Sequence, residues 1–198
     1  MNIAEFCNNL GSTQPTPGGG AAAGYSLAMG ASCAEKAARF SINDKIDDYI
    51  NSFISLKNSG IKLAEEDQYY FQKWQDSRKL HKDTDEQKKI RSAQINEAVE
   101  GCAITPYKIC CEADKMLQII DEFLPFCNNM LISDVAVGVS MAGAAYESSI
   151  FNIIINLPYI KNKETSVMLQ TFLDNSIADF EEKKDLLLSK CKDMLTPN

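Results

Sequence analysis

At 198 residues, with 45% hydrophobic and 24% charged side chains, the chain has ordinary globular usage and length enough for one sizeable core, which excludes a disordered or fibrous design. Its 27 acidic and 20 basic residues leave a formal charge of −7, and no stretch interleaves Lys and Arg with aromatics, so neither nucleic acid nor an anionic membrane is the expected partner. Seven cysteines with no CxxC pair suit no closed disulfide framework, which points to a reducing cytoplasm.

The opening MNIAEFCNNL lacks the basic start and apolar run of a signal peptide. Apolar residues recur three and four apart almost throughout, so the expected fold is all-α, an up-and-down antiparallel bundle of five or six helices in one domain spanning 1–198. A short amphipathic helix covers Ile3 to Leu10, followed by a Gly, Pro, Ser and Thr-rich loop from Gly11 to Gly20. The second helix starts around Gly18 to Ala21 and runs to about Ser41, with Thr16 and Pro17 supplying cap and first-turn chemistry. The third runs from about Lys45 to Leu80, with Gly60 as a candidate kink or break. Asp83 and Glu86 stand where a capping box would open the fourth, which Pro106 interrupts or bends before an end near Pro125. Ser133 reads as the cap of the fifth helix and Pro158 as its stop. Asp134 and Glu147 within this most apolar region argue against a membrane span. Glu164 to Asp193 form the last helix.

Three places ask for an explanation. Pro15-Thr16-Pro17-Gly18-Gly19-Gly20 puts three glycines at a helix start, where they cost entropy unless a positive φ or a close approach requires them. Their amides could hold an anion or a polarised oxygen, although taken alone a glycine run more often lets two helices approach. Asp67 lies in Glu65-Glu66-Asp67-Gln68-Tyr69-Tyr70-Phe71, where a carboxyl beside aromatic rings can acquire a raised pKa, although adjacent acids more often form a solvated face. Asp134, Met141, Ala145, Asn152 and Asn156 recur at helical spacing, a polar stripe that either fixes register or meets a ligand. The single histidine, His81, excludes a His-rich metal site. Cys110 and Cys111 read as core fillers, and Lys88-Lys89-Ile90-Arg91 as a solvated face that could assist an anionic ligand tail.

In this order, the motifs resemble the folate cyclodeaminase/cyclohydrolase family, found as standalone proteins and as the C-terminal domain of formiminotransferase-cyclodeaminase. Pro15 to Gly20 match its Pro-x-Pro-Gly-Gly-Gly-Ser loop, with Ala21 in place of Ser. Asp67, Phe71, Leu80 and Lys82 match an Asp-x-x-x-Phe element and a Leu-Pro-Lys, with His81 for the proline, and Thr105-Pro106 stand at its Val-Pro. Asn128, Ser133-Asp134 and Asn152 to Leu157 match the last signature, with Cys127 in place of Gly.

The resemblance implies cyclodeamination of 5-formimino-tetrahydrofolate to the methenyl form with loss of ammonia. The alternatives are hydration of the methenyl form to 10-formyl-tetrahydrofolate, or a non-catalytic folate-binding or scaffold protein. It implies Asp67 as general acid/base, with Asp134 supporting the pterin or the proton shuttle. Thr16, Gly18, Gly19, Gly20, Asn128, Ser133 and Asn152 would orient the ligand, and Lys82 would meet its glutamate tail. The implied partners are a reduced folate, including polyglutamylated forms, and a second copy in a homodimer, with tetrahydrofolate as substrate and carrier and no metal or separate cofactor.

Overall fold

Among residues 2–196, which this computed structural model describes, apolar periodicity resolves into seven α-helices and no strand. They are α1 (Ile3–Leu10), α2 (Gly19–Arg39), α3 (Ile46–Lys79), α4 (Asp85–Phe123), α5 (Ile132–Asn156), α6 (Lys163–Asn175) and α7 (Ile177–Leu195), with short 3-10 turns at Leu124–Phe126, Asn129–Leu131 and Leu157–Tyr159. Residues 1, 197 and 198, the ends of the expected domain, lie outside the described residues.

The count exceeds the expected five or six because the last stretch is two helices. Asp174, Asn175 and Ser176 are short polar residues that compete for backbone partners. Ser176 ends α6 and precedes α7, while Asn162 caps the start of α6 by accepting from Glu164 and Thr165. Other boundaries also shift. The box that opens α4 is Thr84 with Gln87, one residue beyond Asp83 and Glu86, and Ser133 lies inside the first turn of α5 rather than capping it. Gly18, without a side-chain cap, precedes α2 in place of Thr16 and Pro17. Neither Gly60 nor Pro106 breaks its helix.

Helices α2 to α5 form a ring in which α2 packs on α3 and α5, and α4 on α3 and α5. Contacting pairs run in opposite order along each neighbouring pair, as for Gly24 with Ala64 and Glu35 with Lys57, or Ser26 with Met141 and Lys36 with Asp134. The small faces of α2 and α5 are used within the chain. A Cβ on Gly24 would lie 2.7 Å from the Ala64 nitrogen, and one on Gly30 would lie 2.9 Å from the Gly138 carbonyl, so these helices touch backbone to backbone. α7 covers α5, with Phe180 stacked on Tyr146 at 3.7 Å. Side chains such as Phe53, Leu56, Ile109, Phe123 and Ile153 are fully buried between the helices, each contributing about 1.5–3 kcal/mol relative to exposure. No helix among the described residues is long and apolar enough to cross a membrane.

Candidate active site

Two facing stripes come from helical spacing alone. Asp67, Phe71 and Trp74 recur at i, i+4 and i+7 on α3, and Ile95, Val99 and Cys102 at the same interval on α4. Together with the start of α2 and the end of α5 they enclose a cleft of about 690 Å³. Thr16, Gly18, Gly19 and Gly20 line it from one side, and Asn152, Ile155 and Asn156 from another. The chain beyond α5 adds Tyr159 and an exposed Lys161.

The glycines before and within the first turn of α2 are explained by steric fit, since no glycine among the described residues has a positive φ. A Cβ on Gly20 would sit 2.0 Å from Asp67 Oδ1, so the carboxyl occupies the volume a side chain would need. Asp67 accepts a hydrogen bond from the Ala21 backbone N–H, the third residue of α2, and so supplies the cap that Gly18 lacks. Gly18 has nothing within 4 Å of its absent Cβ, and Gly19 only the Asn152 amide nitrogen at 4.0 Å, so the helix start stays open to the cleft.

Burial decides the charge state of Asp67. Loss of solvation raises its pKa from 3.8 to about 6, outweighing the Ala21 hydrogen bond that favours the anion. It is the one acidic residue lining the cleft, and no basic side chain among the described residues pairs with it. Such a carboxyl can both accept and donate a proton near neutrality. Burial and the Asp67 charge push the Cys102 thiol up to about 12, which removes it as a nucleophile at neutral pH.

Pro106 sets the opposite wall. Lacking an N–H, it leaves the Cys102 carbonyl four residues back without its helical donor, and the Asn156 amide donates there at 3.2 Å and to the Asn152 carbonyl at 2.8 Å. Asn152 donates in turn to the Ser148 carbonyl at 2.9 Å. With the amide nitrogens so engaged, the side-chain oxygens of Asn152 and Asn156 are left as acceptors for ligand N–H groups.

The sequence expectations divide. Thr16, Gly18, Gly19, Gly20, Asp67 and Asn152 come together in this cleft. Asp134, Ser133 and Asn128 do not. Asp134 lies 18 residues before Asn152 on α5, about 27 Å at 1.5 Å per residue, and pairs with Lys36 at 2.9 Å. The exposed Ser133 belongs to that same far end. Asn128 is committed to joining elements, its backbone N–H donating to Ser41 Oγ, its amide donating to the Phe40 carbonyl, and its side-chain oxygen accepting from Met130. Lys82 stands exposed in the α3–α4 connection and does not line the cleft. Lys161 is the basic residue that lines the cleft instead, and no sequence pattern marked it. Asn156 already stood on the polar stripe with Asn152, and Trp74 was within reach, one helical step from Phe71.

A larger cavity of about 800 Å³ lies between α1, α2 and α3. Its lining is mostly apolar, and its Lys57 is already paired with Glu35 at 2.6 Å. Of the two, the smaller cleft is the better site because it holds a half-buried carboxyl with a raised pKa and no cationic partner.

The model of the family described as Formiminotransferase-cyclodeaminase matches residues 2–174. The chain is 30% identical to the methenyltetrahydrofolate cyclohydrolase of Methylorubrum extorquens over 164 residues, covering 78% of each chain. It is 21% identical to the formimidoyltransferase-cyclodeaminase of Sus scrofa, with 95% of this chain matching 36% of that protein's length. The crystal structure of formiminotetrahydrofolate cyclodeaminase from Thermotoga maritima superposes with a TM-score of 0.80 at 21% identity, covering 98% of this chain and 96% of that one.

Proposed function

Because the chain belongs to the formiminotransferase-cyclodeaminase family, we propose that its cleft binds a reduced folate and that Asp67 moves protons at the single carbon bridging N5 and N10. The observation that carries this reading is the half-buried Asp67 carboxyl, unpaired with any cation, at the glycine start of α2, poised near pH 6. In cyclodeamination, N10 adds to the formimino carbon of 5-formimino-tetrahydrofolate and its proton passes to the imino nitrogen. Asp67 in its acid form then protonates the resulting amino group, which leaves as ammonia. The carboxylate left behind faces the methenyl cation and stabilises it.

Phe71, Trp74 and Tyr159 offer flat apolar surface for the pterin and aminobenzoyl rings. Asn152 and Asn156 offer acceptors to the pterin N–H groups, the open amides of Gly18 and Gly19 face its oxygen, and Lys161 meets the anionic tail. Asp134, Ser133, Asn128 and Lys82 take no part in this site within one chain. Tetrahydrofolate is substrate and carrier, and the chemistry calls for no separate cofactor.

Hydration of the methenyl form is the second reading, favoured by the 30% match to a cyclohydrolase over 78% of both chains. There, the Asp67 carboxylate takes a proton from water as the oxygen adds to the methenyl carbon. It returns that proton to N5, which leaves as the adduct's hydroxyl forms the carbonyl and releases its own proton to solvent, giving the 10-formyl product. The two reactions share the cleft and differ in whether ammonia departs or water arrives.

Ammonia release from 5-formimino-tetrahydrofolate, run beside loss of methenyl absorbance, tests both on one preparation. Asp67→Asn should lower whichever rate is found by roughly a hundredfold or more. Near-normal turnover removes Asp67 from the mechanism, and tight folate binding without turnover points to a non-catalytic binder. We further propose a cytoplasmic homodimer of single-domain subunits. Seven free cysteines support the compartment, and the exposed Val137, Phe151, Ile154 and Ile155 of α5 support the association. Light scattering on the purified chain checks the latter.

A further inference from the structure

The stripes that form the cleft continue beyond its lining. On α3, Arg78 follows Trp74 by four residues, and on α4, Arg91 precedes Ile95 by four. The Arg78 guanidinium lies 4.6 Å from the Trp74 ring, and Arg91 Nη2 donates to the Arg78 carbonyl at 3.3 Å. Arg91 Nε is buried and has no hydrogen-bond partner. A buried guanidinium N–H left unmatched is costly unless an acceptor arrives. No carboxylate among the described residues pairs with either arginine, and three acids of these two helices are held by lysines. Asp76 holds Lys79 and Asp85 holds Lys88, both at 2.9 Å, and Glu97 holds Lys73.

We propose that Trp74, Arg78 and Arg91 form a subsite for a carboxylate attached through an amide to an aromatic ring, which in a reduced folate is the first glutamate of the tail. This rests on the folate reading above and adds the residues that receive the tail. Arg78 and Arg91 each stand 11 residues along their helices from Asp67 and Cys102, or about 16 Å at 1.5 Å per residue. An aminobenzoyl ring and one amino acid bridge that interval once the side chains reach inward. The ring lies against Trp74, and the carboxylate accepts from the free Arg91 Nε–H with Arg78 beside it. Lys161, carried by the chain beyond α5, adds charge at the mouth. Lys88 and Lys89, on the same turn of α4 as Arg91, are exposed and turned to solvent.

The test needs no turnover. Trp74 is the only tryptophan of the chain, so its indole N–H gives one NMR signal that reports directly on the subsite. Titration of the full chain with p-aminobenzoyl-L-glutamate should shift that signal and saturate at about tenfold lower concentration than titration with p-aminobenzamide, the gain expected from one charge-assisted contact. Arg91→Gln should erase the difference between the two probes, Arg91→Lys should restore part of it, and Lys89→Gln should leave it intact. Helical circular dichroism identifies any variant that fails to fold, and Arg78→Gln then stands in for it. Equal affinity of the two probes, or a preference that survives both Arg91→Gln and Arg78→Gln, overturns the subsite. If the wild type turns over no folate yet Arg91→Gln abolishes the preference, the proposed reaction falls and the subsite stands.

Discussion

Replacing Asp67 by Asn removes a poorly solvated charge while keeping the side chain's size and an oxygen that accepts from the Ala21 N–H. The shift from 3.8 to about 6 is about two units, and at ~1.4 kcal/mol per unit the folded protein spends ~3 kcal/mol to ionise this group at neutral pH. The folded pKa lies above the unfolded one, so between the two the folded state binds more protons. Wild-type stability from this group is therefore fully present below pH 3.8, falls as pH rises and is gone above about 6. The Asn variant lacks that fall. Its unfolding free energy in urea should match wild type near pH 4 and exceed it by up to ~3 kcal/mol at pH 7 to 8, while turnover drops. A variant less stable than wild type at pH 8, or offset equally at every pH, would refute the view that burial sets the pKa. In wild type the same ionisation should appear in kcat/KM as a limb with an apparent pKa near 6.

Four further substitutions bear on the geometry. Gly20→Ala puts a methyl 2.0 Å from Asp67 Oδ1; the carboxyl can swing aside, so stability should hold while kcat falls roughly a hundredfold, and normal kcat would deny the contact. Gly24→Ala meets backbone atoms of α3 at 2.7 to 2.9 Å and cannot be relieved by a rotamer, so chemical denaturation should register a loss of about 1–3 kcal/mol. Gly18→Ala, with open space around its Cβ, should cost far less in the same measurement. Pro106→Ala restores an N–H that competes with Asn156 for the Cys102 carbonyl; thermal stability should hold or rise, since Pro is about 3 kcal/mol worse than Ala inside a helix, while kcat/KM falls several-fold. Unchanged kcat/KM would mean that the Asn156 anchor is not used.

Much of the helix content was legible because amphipathic periodicity is local, and α1, α3 and α5 lie within a few residues of where the pattern puts them. The misplaced boundaries are those at Thr84, Ser133 and Ser176, where several neighbouring residues carry equivalent capping or breaking chemistry and only the packed chain selects one. Pro106 misled for a different reason. The penalty of a proline inside α4 is partly offset by Asn156, a donor 50 residues away in sequence, and no local window contains both.

From the sequence by itself came the all-α class and the three motifs, consequences of residue type and short-range spacing, while the pairing of a glycine start with Asp67 came only from the family resemblance. The tertiary structure alone decided which motifs meet. A helix of 25 residues such as α5 carries its two ends far apart, so Asn152 reaches the cleft while Asp134, on the same polar stripe, is bound to Lys36 at the other end. It also decided the state of Asp67, because desolvation depends on every helix that excludes water from the carboxyl and not on the residues beside it in the chain.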